Sequence, residues 1–420
     1  MKFRSLFSII TGLVAVSLSL PALASNKGDW FEVQAPPTFV DATGKQRFPA
    51  CSSGPTLVDG VPQPADGEFS FFVKPGSSKR LAIFFDGGGA CWDGRTCVGA
   101  PLTGQGLYSQ SVNETVESLS AFSGLGDTDN ENNPVRNYTQ VFIPYCTGDL
   151  HTGAADTVYD DAPFPWVIRH RGADNVAYVL DWLDENYSDI NRIAKGKNTD
   201  KRRRRDRSPE KLYLSGASAG GYGVIYHTPA IVAQYPHADE VRVLIDAANG
   251  VINQDFYDRA LAPTGGWNVW ENLSHVLAAA FASGPDTLSA GSIVSLGQAY
   301  PHARFGQYTT AFDGTQIAFF NVARNLTDVS KWFDPAELQI AGFLWATKAA
   351  TDMFLVASQI DNYRFYRAAG TDHTIVGSDK TYTENTAGET AFIDWFRDMI
   401  KKRRLKRSDW QNLDCDPACL

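Results

Sequence analysis

The sequence predicts an α/β fold with a mostly parallel central sheet flanked by helices, and three observations carry that expectation. Apolar runs of strand length recur at 79–85, 138–145, 211–214 and 241–246, each followed by a segment long enough for a crossover. Residues 172–187, between the second and third run, space their apolar side chains at helical intervals. No internal repeat or Pro/Ser-rich linker interrupts the 420 residues, so a single domain over 25–420 is expected.

Residues 1–24 have the pattern of an export leader: Met-Lys-Phe-Arg, an apolar run over 6–20, then Pro-Ala-Leu-Ala as a cleavage site near Ala24. The mature chain is therefore expected outside the cytoplasm, secreted or periplasmic. No later stretch reaches the roughly 20 uncharged apolar residues that a transmembrane helix needs. Formal net charge is −9, and removing Lys2 and Arg4 with the leader makes it two units more negative. Such a surface argues against nucleic acid or an anionic membrane as the main partner, and a monomer is expected.

Six cysteines in an exported chain most simply form three disulfides. Closeness in sequence pairs Cys91 with Cys97 and Cys415 with Cys419, leaving Cys51 with Cys146, although other pairings are open. No C-x-x-C occurs and no histidine stands at ligand spacing from these cysteines, so no metal is expected.

In chain order, residues 25–66 are rich in Pro, Gly and Asp and read as a surface wrap tied down at Cys51. Residues 68–74 and 79–85 flank Pro-Gly-Ser-Ser and read as a β-hairpin with a buried second strand. That strand ends in Asp86-Gly-Gly-Gly-Ala-Cys-Trp. Glycines after a buried strand expose main-chain N–H groups, and Gly89 and Ala90 are the predicted oxyanion donors. A phosphate loop is disfavoured because neither G-x-G-x-x-G nor G-x-x-x-x-G-K-[ST] is present here. Residues 99–136 form a long polar insertion, over either the site or the plain surface. The basic stretch within 195–207 and the run at 401–407 read as solvated segments, the latter ending a helix that starts near Thr390.

Lys211-Leu-Tyr-Leu-Ser-Gly-Ala-Ser-Ala-Gly-Gly joins a strand to a helix through a G-x-S-x-G turn. Small residues on both sides let the chain reverse sharply and hold the Ser218 hydroxyl clear of the backbone, with the Ala219 N–H as a further oxyanion donor. The following helix is expected over 221–233, bent or interrupted at Pro229. Residues 251–300, with Trp267, Trp270 and a helical stretch over 272–283, read as a lid-like insertion. Packing against the body is favoured for those tryptophans over stacking on a sugar. Residues 304–313 form a strand ending in Asp313, and 365–373 form a strand leading to His373. Asp328, Asp352, Asp361 and Asp372 compete for the acid, but only Asp313 directly follows an extended run. The order Ser218, Asp313, His373 is that of the α/β-hydrolase triad.

Together, Asp86-Gly-Gly-Gly-Ala-Cys-Trp, Val141-Phe-Ile-Pro-Tyr-Cys-Thr-Gly-Asp, Ser215-Gly-Ala-Ser-Ala-Gly-Gly and Ala311-Phe-Asp-Gly-Thr-Gln resemble the pectin acetylesterase/Notum family. The resemblance implies an α/β-hydrolase-like fold and a cofactor-free serine carboxylester hydrolase that removes acetyl or other short acyl groups from a polysaccharide such as pectin. It also implies Ser218 as nucleophile, Asp313 as acid and His373 as base. A secreted polyester or lipid esterase and a silent surface-binding protein are the alternatives.

Overall fold

The computed structural model describes residues 29–52, 55–58, 61–64, 67–98, 106–160, 166–196, 208–401 and 409–419. The leader pattern and most of both basic runs lie outside them.

Nine strands among the described residues make one sheet: β1 (Phe31–Gln34), β2 (Ser70–Lys74), β3 (Ser77–Phe85), β4 (Tyr138–Ile143), β5 (Lys211–Ala217), β6 (Glu240–Asp246), β7 (Arg304–Thr310), β8 (Tyr363–Ala368) and β9 (Leu413–Asp414). Their order is β1-β2-β4-β3-β5-β6-β7-β8-β9. β2 runs antiparallel to β1 and β4, whereas every pairing from β4 through β9 is parallel. The principal helices are α1 (Gly172–Asn186), α2 (Ala219–Gln234), α3 (His275–Ala282), α4 (Leu288–Ala299), α5 (Gly314–Arg324), α6 (Pro335–Gln359) and α7 (Phe392–Ile400).

Both faces of the sheet are covered, which is why its central strands are apolar almost throughout rather than alternating with polar residues. Along β3, Leu81, Ile83 and Phe85 point into a core shared with Val176, Val179 and Leu183 of α1 and Val224 and Ile231 of α2. Ala82 and Phe84 point the other way, into a core with Phe392, Trp395 and Phe396 of α7. Successive residues thus enter opposite cores, as a two-residue period requires. α2 is continuous across Pro229.

The expected hairpin is not formed. β2 and β3 follow one another with only Pro75 and Gly76 between them, yet β4 lies between them in the sheet. The chain steps over the start of β4 at Gly76, where a Cβ would sit 2.2 Å from the Tyr138 carbonyl oxygen. Without a side chain there the crossing closes, and β3 gains a parallel partner on each side. The disulfides Cys51–Cys146, Cys91–Cys97 and Cys415–Cys419 form as the sequence predicts.

α6 is long and apolar enough, by length and composition, to cross a membrane. It carries Glu337, Lys348 and Asp352, however, and buries Trp345, Ala349, Met353 and Val356 against the body.

Candidate active site

β5 ends at Ala217 and α2 begins at Ala219, leaving Ser218 alone on the turn at φ 56°, ψ −122°. A residue with a side chain rarely occupies that region, and its main chain must be held there from outside. The Ser218 N–H donates to the Asp246 carbonyl oxygen at 2.9 Å, and the Gly221 N–H donates to the Ser218 carbonyl oxygen at 2.9 Å. The flanking glycines are sterically required. A Cβ on Gly216 would lie 1.9 Å from the Gly220 carbonyl oxygen, and one on Gly220 would lie 2.0 Å from that of Phe85. Strand and helix therefore approach backbone to backbone, as the motif demands.

Asp313, at the end of the chain leaving β7, is fully buried and caps α5. One carboxylate oxygen accepts the Gln316 N–H at 2.9 Å and the other accepts the Gln316 Nε2 amide at 2.9 Å. His373 Nδ1 lies 2.9 and 2.8 Å from the same two oxygens. A carboxylate can only accept, so the proton of the neutral ring sits on Nδ1 and Nε2 is left with its lone pair. That Nε2 is buried and has no partner among the described residues. Ser218 and His373 line one cavity. The competing acids are occupied elsewhere: Asp352 accepts from Lys348, Asp372 pairs with Lys380, and Asp328 accepts from Ser330. Gln316, which orients Asp313, escaped the sequence reading. The sequence carried two signals for it, its place three residues after an N-capping aspartate and its place at the end of the Ala311-Phe-Asp-Gly-Thr-Gln motif, but no role.

Of the predicted oxyanion donors, two keep an open N–H. Ala219 opens α2, where the first-turn N–H groups have no partner within the helix. The Gly89 N–H has no acceptor among the described residues. Gly89 adopts φ 79°, and a Cβ there would lie 2.1 Å from the Leu107 carbonyl oxygen. Ala90 is corrected. Its N–H donates to the Leu107 carbonyl at 3.2 Å, because residues 107–109 pair with the glycine loop through the Gly89–Tyr108 bridge. Ala90 lines the cavity without offering a free donor. The long insertion thus covers the site at its described end, and the Cys91–Cys97 disulfide closes the same loop.

The cavity has a volume of about 120 Å³. Its wall includes Val251, Ile252, Phe256, Leu261, Phe281 and Leu288 from the expected insertion, and also Phe319 and Phe320 of α5 and Trp345 of α6. No Asp, Glu, Lys or Arg is among the described residues that line it. Trp267 is fully buried, with its indole N–H donating to the Cys91 carbonyl at 2.9 Å, and Trp270 donates to the Leu261 carbonyl at 2.8 Å. Both are packing residues, as favoured from the sequence.

A second polar cluster lies behind the site. Asp149 accepts from the Thr147 hydroxyl and from the N–H groups of His151, Gly153 and Gly172, while burial pushes its carboxyl up to about 6. Burial pulls His151 and His170 down to about 4 and His227 to about 3. Cys91, Cys97 and His170 lie close enough to suggest a metal site. They do not fit one: both sulfurs are in a disulfide, and the two ring nitrogens of His170 bond to the Thr147 carbonyl and the Tyr159 hydroxyl.

The sheet order, the antiparallel β2, the strained serine after β5 and the acid after β7 make this an α/β-hydrolase-like protein. Comparison with known proteins narrows the class to the pectin acetylesterase/Notum carboxylesterases, which this chain resembles. The family profile described as Pectinacetylesterase matches residues 61–193. Pectin acetylesterase 11 of Arabidopsis thaliana is 24% identical over 366 residues, spanning 80% of this chain and 83% of that protein. The palmitoleoyl-protein carboxylesterase NOTUM of Schmidtea mediterranea is 29% identical over 86 residues, 20% of this chain and 16% of that one. The solved structure of the Wnt deacylase Notum from Drosophila is 18% identical, covering 86% of this chain and 96% of that chain, with a TM-score of 0.49. The similarity supports a carboxylic ester hydrolase.

Proposed function

We propose that the protein is an exported serine carboxylester hydrolase whose acyl pocket takes an apolar group larger than acetyl. The supporting observation is one cavity that holds Ser218 on its strained turn and a histidine with Nδ1 on a buried carboxylate and Nε2 open. His373 Nε2 accepts the Ser218 proton as Oγ attacks the ester carbonyl, and the imidazolium is held by Asp313. The N–H groups of Gly89 and Ala219 receive the oxyanion, each accounting for roughly 3 kcal/mol of the barrier. Collapse expels the alcohol with the proton from His373, and water then releases the acid by the same steps reversed.

For the acyl half, the uncharged, largely apolar wall favours a chain of several carbons. An acetyl group would leave most of that wall uncovered. Each further buried CH₂ contributes about 0.8 kcal/mol, roughly a fourfold gain in kcat/KM. A series of p-nitrophenyl esters from acetyl to octanoyl tests this. A rise through butanoyl and beyond supports the reading. A fall after acetyl, with turnover of acetylated pectin, returns the substrate to the acetylated polysaccharide that similarity to pectin acetylesterase 11 favours. Failure to react with a fluorophosphonate would leave the silent binding protein. Export rests on the leader pattern at 1–24, and three disulfides suit an oxidising compartment.

A further inference from the structure

We propose that Asp246 is a positioning residue for the base, a bracket that sets the distance between the His373 loop and the Ser218 turn. The proposal rests on the serine hydrolase reading above. Asp246 is the last residue of β6, the strand between the one that presents the nucleophile and the one that presents the acid. Its main-chain carbonyl oxygen accepts the Ser218 N–H at 2.9 Å. Its side chain reaches the other way: Oδ2 accepts the N–H of Ile375 at 2.8 Å and of Val376 at 2.9 Å, two and three residues beyond His373. One residue therefore touches the backbone of both the nucleophile turn and the base loop.

The surroundings show that this arrangement is built. Asp246 is fully buried, and its Oδ1 has no partner among the described residues. A buried carboxyl with an unmet oxygen is unfavourable and persists where an acceptor is needed at that point. The next residue, Ala247, leaves the strand at φ 52° with its N–H donating to the Tyr308 carbonyl at 2.9 Å, so the chain turns aside just where the carboxyl crosses to the loop. Beyond the histidine the loop is also tied to segments outside the sheet, the Leu125 N–H donating to the Val376 carbonyl at 2.8 Å and Thr381 Oγ1 to the Ile375 carbonyl at 2.7 Å, while at or before it Thr310 Oγ1 donates to the Asp372 carbonyl at 2.6 Å and Asp313 takes Nδ1. Without Asp246 the loop beyond His373 loses its hold on β6, and the ring pivots about its Asp313 bond, turning Nε2 away from the cavity it shares with Ser218. Asp246 does not line the cavity, so substrate binding should not register its loss.

The test measures kcat, KM, the fluorophosphonate labelling rate and the melting curve for Asp246→Ala, Asp246→Asn and Ser218→Ala side by side. Asp246→Ala is expected to lower kcat and the labelling rate together by tenfold to a hundredfold, with KM within twofold of the parent. Asp246→Asn keeps an acceptor oxygen for the two N–H groups and is expected to recover kcat to within about fivefold of the parent. The bracket is overturned if Asp246→Ala keeps kcat within twofold, if KM moves as much as kcat, or if Asp246→Asn is as impaired as Asp246→Ala. Should Asp246→Ala fail to fold, Asp246→Ser, whose hydroxyl is too short to reach both amides, takes its place with the same outcomes. Full activity in Ser218→Ala would sink the serine reading itself. A dead Ser218→Ala beside an unimpaired Asp246→Ala would sink the bracket alone.

Discussion

Two regions set histidine and buried aspartate near the C-terminal ends of the central strands, and only one is equipped for chemistry. In the cluster around Asp149, every assigned ring contact is made to a fixed group: His151 Nε2–H donates to the Asp86 carbonyl, His227 Nε2–H to the His151 carbonyl, and His170 bridges the Thr147 carbonyl and the Tyr159 hydroxyl. These rings are fully buried and pulled far below the usual imidazole range. At the other region, Asp313 orients one nitrogen of His373 and leaves the second without a partner in a cavity shared with a serine. Composition does not separate the two regions. What separates them is an open valence aimed at space a substrate can enter, since the lone pairs of the buried rings face fixed protein groups rather than a cavity.

Removing that valence should produce the largest effect. Ser218→Ala or His373→Gln is expected to fold normally and lose on the order of a millionfold in kcat, read as ester turnover against a matched melting curve. Activity within tenfold of the parent would erase the distinction between the regions. Asp313→Asn comes next. Its oxygen still caps α5, so the fold survives, but the amide favours the wrong imidazole tautomer, and kcat should drop about 10⁴-fold. The same exchange at Asp328 or Asp372 should be nearly silent.

The other region should respond in stability alone. His170→Phe strands the Tyr159 hydroxyl and the Thr147 carbonyl, and a loss of about 1–3 kcal/mol is expected from urea unfolding. Specific activity per folded molecule should be unchanged. A catalytic loss exceeding the folded fraction would mean that the buried cluster takes part in the reaction.

The last effect is a slope rather than a single offset. The unfolded pKa of histidine is about 6.5, and His227 is held near 3 in the fold. The unfolded state therefore binds the extra proton, and the stability that the neutral ring contributes is lost as pH falls below about 6.5. The buried carboxyls act oppositely: burial and the neighbouring Glu114 push Asp86 up, and burial pushes Asp246 to about 7 and Asp149 to about 6, so their contribution is lost as pH rises from about 4 toward 7. In His227→Gln one acid-sensitive group is gone. Its deficit relative to the parent should shrink from pH 6.5 to pH 4 by roughly 1.4 kcal/mol per unit, measured as melting temperature against pH. A deficit that stays constant would mean the ring protonates within the fold.

What the sequence by itself determined were the features set by short-range sterics. Gly216 and Gly220 around Ser218 announce the turn because no larger residue fits where two backbones come within 2 Å of a would-be Cβ. Likewise the buried strands are continuous apolar runs, the disulfide Cys91–Cys97 joins near neighbours, and Asp313 follows an extended run into a helix cap. Only the tertiary structure decided which distant segments meet. β4 slips between β2 and β3 although nothing in the Pro75-Gly76 link asks for it, because a parallel strand buried on both edges satisfies more of its N–H and C=O groups than an isolated hairpin. The Ala90 N–H is taken by Leu107, Gln316 and Asp246 serve the site from α5 and β6, and α6 brings Trp345 to the cavity wall. Each of these depends on contacts between residues far apart in the chain, where local preference is silent and the closing of buried hydrogen bonds and apolar surface selects the partner.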